Sequence, residues 1–251
     1  MESESKKIVI IGGAGRLGKS FVNACKNENM VVLVMDICDD KTWKELNVDC
    51  DLFVQTDINN FESFMNAINL LSSKADRIDA VVNTSYPKNN NFGQTSLFDT
   101  TLHDFNNNIN LHLGGYFHVM QKFSEIFIEQ GYGNMVNIAS IQGISAPKFE
   151  HYYNTKMSSP IEYTAAKSAI IALSRYMAKY LSGKNIRVNC ISPGGIVDNQ
   201  PQSFRELYRS SCTSKGLLDA DDLVGTLLFL LSDNSKFING QNIIVDDGWS
   251  L

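Results

Sequence analysis

In the segment HYYNTKMSSPIEYTAAK, residues 151–167, two tyrosines stand four positions before a lysine: Tyr152 before Lys156, and Tyr163 before Lys167. On a helix that spacing brings both side chains to one face, where an ammonium lowers a phenol's pKa and fits it for proton exchange near neutral pH. Only the second pair has a helix to stand on. SSPIEY reads as a helix start, with Ser159 as N-cap, Pro160 at the first helical position and Glu162 closing a capping box. From Ile161 apolar residues recur at helical spacing to about Leu181, so Tyr163 and Lys167 fall in the first two turns. A helix carrying Tyr152 and Lys156 forward would meet Pro160, which has no N–H and disfavours helical geometry at the residue before it. Tyr163 with Lys167 is therefore the expected acid/base pair.

A second constellation binds rather than reacts. GGAGRLG, residues 12–18, follows an apolar strand and opens a helix, with Gly12, Gly15 and Gly18 at G-x-x-G-x-x-G spacing. Without side chains there, the backbone turns tightly and a pyrophosphate can approach the helix N-terminus, with Arg16 and Leu17 in the same turn. Asp36 ends VVLVMD about 20 residues on, where a carboxylate accepts hydrogen bonds from the adenosine ribose of NAD. Asp39 and Asp40 add negative charge that repels a 2′-phosphate unless Arg16 reaches over to neutralise it. NAD(H) is expected in preference to NADP(H). Asp57 and Ile58, after a third strand, either bracket the adenine or, in the case of Asp57, cap a helix starting near Asn60.

The elements that must position these residues alternate. KKIVIIGG and VVLVMDI read as buried strands around a helix from Lys19 to Asn29, a βαβ unit. Further strands are expected at 52–55, 80–84, 134–139, 186–191 and 242–245, with helices between most of them. The fold class is α/β: a doubly wound parallel sheet of seven strands with helices on both faces, binding ligands where the winding reverses. At 251 residues the chain fits one such domain.

Composition excludes several classes. A net charge of −5 with scattered basic residues argues against a nucleic-acid surface. Five cysteines without a C-x-x-C pair and four histidines spread widely give no metal site. The polar start MESESKK and the lack of an apolar run of about 20 residues imply neither signal peptide nor membrane span, and hence a cytoplasmic protein.

The glycine turn, VNIAS at 136–140, YTAAK at 163–167, IRVNCISPGG at 186–195 and GQNIIVDDG at 240–248 together resemble the short-chain dehydrogenase/reductase family, in the right order along essentially the whole chain. The resemblance implies a single-domain Rossmann fold and an oxidoreductase that interconverts a hydroxyl and a carbonyl. It implies that Tyr163 is the general acid/base and that Lys167 lowers its pKa and holds the nicotinamide ribose. Ser140 would hydrogen-bond the reacting oxygen, and Asn110 would support a proton relay through water. Asn83 belongs to the segment after the fourth strand, and Pro193, Gly194 and Ile196 to the segment beside the nicotinamide. Family members commonly form dimers or tetramers through the helices near 100–130 and 160–182 and the final strand, so a homo-oligomer is expected.

Departures from the family pattern locate what is particular to this chain. Tyr152, not Tyr163, stands at the usual spacing from Ser140, which implies an insertion at about 142–159 beside the substrate pocket. Ile11 replaces a threonine before the first glycine, and Asn83 is followed by Thr84, Ser85 and Tyr86, so Tyr86 and Pro87 are expected to narrow the groove or touch substrate. Asp198 replaces the threonine that commonly binds the nicotinamide carboxamide.

Lys148, Glu150, His151, Tyr152, Tyr153, Asn154, Lys156, Asn199 and Gln200 would make a polar pocket suited to a sugar. APKFEHYYNTKMSSPIEYTAAKSAI, PGGIVDNQP and VDDGWSL resemble the subgroup found with bacterial flagellin modification and nonulosonic acid synthesis, implying a phosphorylated or nucleotide-linked amino sugar. Two alternatives stand beside this: a reductase of acyl-carrier-protein or small ketone substrates, and a non-catalytic NAD(H)-binding sensor or scaffold.

Overall fold

A computed structural model describes residues 5–251. Residues 1–4, part of the polar start read above, lie outside the described residues. Seven strands pair in parallel in the order β3-β2-β1-β4-β5-β6-β7. They are β1 (Lys7–Ile11), β2 (Val31–Asp36), β3 (Leu52–Gln55), β4 (Ala80–Asn83), β5 (Gly133–Ile138), β6 (Ile186–Pro193) and β7 (Asn242–Val245). The winding reverses between β1 and β4, whose carboxyl ends open a crevice.

Strand alternation assigns the two faces. Ile8 and Ile10 of β1 pack with Phe21 and Val22 of α1 (Arg16–Asn27) and with Leu227 and Leu230 of α7 (Val224–Leu231). Val9 and Ile11 point the other way, toward Phe64 of α3 (Phe61–Lys74), Tyr116 and Phe123 of α4 (Leu102–Gln130) and Ile170 of α5 (Ile161–Tyr180). Each such fully buried large side chain stabilises the fold by about 1.5–3 kcal/mol, so a sheet covered on both faces is held by its own period. Two shorter helices, α2 (Asp40–Glu45) and α6 (Gln202–Ser210), flank the carboxyl ends of the strands.

The ends of the long helices differ in how they are made. Thr101 caps α4 by accepting the Asp104 N–H, and Gly131 closes it at φ 84°. The start of α5 departs from the sequence expectation. Pro160, not Ser159, is the N-cap, and no side chain caps the helix. The Ser159 hydroxyl instead donates to Gln142 Oε1 at 2.8 Å, while Glu162 turns inward and accepts from Asn108 Nδ2 at 3.2 Å. The capping box is lost because Glu162 has a buried amide to satisfy across the α4–α5 contact.

Candidate active site

Gly12 opens the turn after β1 at φ 81°, and its N–H donates to Met35 O at 2.8 Å. A side chain is excluded at Gly18: a Cβ there would lie 2.1 Å from Gly12 O and 2.7 Å from Gly13 Cα. The turn is thus a cradle of backbone only, ending at Gly15 as the N-cap of α1, with the helix dipole toward the crevice. Asp36 is nearly buried at the end of β2, where Oδ2 accepts the Ala14 N–H at 2.8 Å and Oδ1 the Cys38 N–H at 3.0 Å. Its carboxylate therefore fixes the turn and keeps lone pairs for hydroxyl donors. A glycine cradle, a helix N-terminus and an acidic acceptor at this distance fit a dinucleotide.

Arg16 does not reach toward Asp36. Its guanidinium crosses the crevice to ion-pair with Asp198 and to donate to Val197 O, so it is engaged on the opposite bank. Gly15, Arg16, Leu17, Gly18, Pro193, Gly194 and Ile196 line one continuous cleft of about 720 Å³ with Ser140, Tyr163 and Lys167. Five expected cofactor residues do not line it, among them Gly12, which lies at the base of the turn. Asp36 and Asn83 sit at strand ends, Asn83 accepting from the Ser85 N–H at 3.1 Å and hydroxyl at 2.6 Å. Asp57 accepts the Asn59 N–H at 2.9 Å, and the cap of α3 is Asn60. Ile58 buries its side chain in the core under α4, so only its backbone can face an adenine.

Ser140 follows β5, and the first two turns of α5 carry Tyr163 and Lys167 to the same spot. The Lys167 ammonium donates to Ile138 O at 2.8 Å and lies 5.6 Å from the Tyr163 ring centre and 5.3 Å from that of Tyr116. Burial pushes the lysine down to about 7 and the Tyr163 phenol up, while the Ser140 hydroxyl draws the phenol back. The expected lowering of the phenol by the ammonium is not what sets its pKa here: desolvation is the largest cause on both residues. Tyr152 and Lys156 share no helix, because Tyr152 ends a short 3-10 turn and Asn154 follows at φ 58°.

The residue expected to support the relay does not face the site. Asn110 is exposed on the outer face of α4. Two positions on, His112 is buried, its ring edge-to-face with Tyr163 at 6.2 Å and Tyr86 at 5.1 Å. Burial and the nearby Lys167 charge push its pKa down to about 2, so the imidazole is neutral at any ordinary pH. Its Nε2 is buried without a hydrogen-bond partner. A histidine within an apolar helix face reads in sequence as core, and the only sequence signal was its place two residues past Asn110.

The pocket beyond Tyr163 is also less polar than expected. Of the nine proposed residues only His151, Tyr152, Lys156 and Gln200 line the cleft. Five aromatic residues supply much of its walls: Tyr86 and Phe92 from the loop after β4, Phe204 and Tyr208 from α6, and Trp249 from the carboxyl-terminal turn. His151 is clamped among Phe204, Tyr208 and Trp249 and shares a 3.0 Å hydrogen bond with the Ser211 hydroxyl, which docks segment 142–159 against α6. The Tyr208 hydroxyl accepts the Gly195 N–H at 2.6 Å, fixing α6 to the end of β6.

With this geometry in hand, the relatives can be placed. Residues 13–250 match the family described as "Enoyl-(Acyl carrier protein) reductase". The chain is 42% identical over 254 residues to "Post-translational flagellin modification protein A" of Campylobacter coli, covering 99% of each. It is 29% identical to a 7alpha-hydroxysteroid dehydrogenase of Bacteroides fragilis, over 99% of this chain and 95% of the relative. Its fold matches a short chain dehydrogenase from Leptospira borgpetersenii with bound NAD+, at TM-score 0.86 and 29% identity, over 99% of this chain and 94% of that one. Similarity that runs unbroken from the glycine cradle to the carboxyl-terminal wall of the cleft leaves one family for this chain: it belongs to the short-chain dehydrogenase/reductases and is an oxidoreductase.

Proposed function

We propose that this protein interconverts a hydroxyl and a carbonyl on a phosphorylated or nucleotide-linked sugar, in the modification of flagellin or a related surface glycan. The convergence of Ser140, Tyr163 and Lys167 on one end of the cleft carries the chemical reading. The 42% identity to a flagellin modification protein supports its setting. When bound, the nicotinamide supplies the redox half of the reaction. The Tyr163 phenol gives its proton to a carbonyl oxygen or takes one from a hydroxyl, and the Ser140 hydroxyl holds that same oxygen in place. Lys167 holds the nicotinamide ribose. His112 takes the relay role expected of Asn110: a buried, neutral, unpartnered imidazole can accept a water's hydrogen bond and keep a proton path open behind Lys167.

Gly12, Gly15, Leu17 and Gly18 would cradle the pyrophosphate, Asp36 the adenosine ribose, and Pro193, Gly194 and Ile196 the nicotinamide. With Asp36 acidic and Arg16 committed to Asp198, NAD(H) is preferred to NADP(H). We place the protein in the cytoplasm; among the described residues no helix is long and apolar enough to cross a membrane. Replacing Tyr163 with Phe is expected to lower kcat by about 10²- to 10⁴-fold. NADH binding, read by its fluorescence, should stay unchanged. Retained turnover would remove Tyr163 from the chemistry.

The aromatic walls favour a second reading, reduction of an apolar or small ketone. A panel of sugar phosphates against cyclic and aliphatic ketones separates the two by kcat/KM.

A further inference from the structure

The cleft carries one acidic side chain along its lining, Asp198, and Arg16 pairs with it. Around the substrate end stand three lysines instead. Lys156 lines the cleft from segment 142–159. Lys88 lies over the rings of Tyr86 and Phe92, at 5.2 and 5.8 Å from their centres. Lys148 lies 4.8 Å from the centre of the Trp249 ring. All three aromatic rings line the cleft; Lys88 and Lys148 are not part of the lining themselves but stand against those rings, while Lys156 lines it directly. Among the described residues none of the three has an ion-pair partner.

Nearby carboxylates do not pair with them among the described residues: Glu162 is buried with Asn108, Asp246 is buried and accepts the Gly248 and Ser250 N–H groups, and Glu150 is exposed without an ion pair. In a chain of net charge −5, three ammoniums with no ion-pair partner among the described residues stand near one opening and favour an anion there. The indole N–H of Trp249, buried without an acceptor, adds a donor at the same end.

We propose that Lys88, Lys148 and Lys156 read a phosphate on the substrate, remote from the carbon that reacts, while the aromatic walls hold the sugar ring. Cation–π contact keeps Lys88 and Lys148 ordered over their rings, so they meet the anion with less side-chain entropy to lose. The proposal rests on the sugar reading above and narrows it: the pocket selects for phosphate, and a neutral sugar is a poor ligand.

The test uses the full-length protein saturated with NADH. Trp249 is one of two tryptophans; the other, Trp43, is stacked on Phe53 outside the cleft, so a Trp43→Phe background makes the emission report this site. N-acetylglucosamine 6-phosphate, UDP-N-acetylglucosamine and neutral N-acetylglucosamine are titrated in turn, and the first two distinguish a monoester from a nucleotide diphosphate. A phosphorylated sugar should bind at least about tenfold more tightly than the neutral one. The Lys88→Gln/Lys148→Gln/Lys156→Gln triple variant should lose about that factor, and added salt should mimic it. Equal affinity for neutral and phosphorylated sugars, no quench by either phosphorylated sugar, or an unchanged affinity in the triple variant overturns the proposal. Should the triple variant melt early, Lys156→Gln alone, at an exposed position, must still weaken the phosphorylated sugar selectively. NADH binding is read separately by its own fluorescence, so failure of the dinucleotide site cannot be mistaken for failure of the rim.

Discussion

At the scale of single residues, the chemistry here is costly to the fold. Burial holds Lys167 near pKa 7 against an ordinary 10.5, so its ammonium destabilises the native state. The folded pKa lies below the unfolded one, so the penalty is full below pH 7 and is relieved as pH rises from 7 toward 10.5. Lys167→Met should abolish turnover yet raise Tm, by roughly 2–4 °C for each kcal/mol recovered, with the largest gain below pH 7. The Ile138 carbonyl would not be orphaned, because the Tyr116 hydroxyl lies 3.0 Å from it. Calorimetry at pH 6 and pH 9 checks the sign: an equal gain at both would mean the lysine is not the titrating cost. His112→Leu should lower kcat by about ten- to a hundredfold with little change in KM, and His112→Asn should recover most of it. A loss shared equally by the leucine and asparagine variants would make His112 a packing residue.

At the scale of elements, the glycine cradle sets the tightest limit. Gly18→Ala brings a Cβ within 2.1 Å of Gly12 O, so the turn must open. The expected result is loss of NADH affinity by more than about tenfold with a lowered Tm, read by fluorescence titration and by melting. Here too lies most of what was legible in the sequence. Strand period and the glycine turn at 12–18 place β1, β2 and the dinucleotide end, because short doubly buried strands leave few alternatives. The start of α5 was legible as a position but not as a device. Local chemistry favours Ser159 and Glu162 as a capping box, and only the fold brings Asn108 to Glu162 and Gln142 to Ser159. The pocket misled for the same reason. Segment 142–159 is polar in sequence, yet its docking through His151 leaves Glu150, Tyr153 and Asn154 off the lining, sets Lys148 against the Trp249 ring, and lets α6 and Trp249 supply aromatic walls from far along the chain. Asn110 and His112 stand on opposite faces of α4: two residues are about 200° on a helix, enough to exchange the buried face for the exposed one, and sequence spacing alone does not show which of them faces Tyr163.

For the molecule as a whole, one sheet is covered on both faces, and large apolar side chains remain on the outer helices. Phe117 and Ile128 on α4, Tyr176 and Tyr180 on α5, and Leu97 and Phe98 before α4 are exposed, with Tyr176 and Tyr180 stacked at 6.0 Å. We expect these to be covered in a homodimer or homotetramer. Tyr176→Glu or Phe117→Glu should shift the sedimentation profile toward monomer, and a wild-type monomer at micromolar concentration would refute the expectation.

The Arg16–Asp198 pair joins the loop that opens the fold to the loop that carries α6, spanning the cleft from bank to bank. In traffic terms it divides one cleft into two doors. The dinucleotide end lies under a bridge, while the phosphate-reading end opens beyond it. Asp198→Asn should therefore speed NADH release in stopped flow and leave the sugar's exchange untouched.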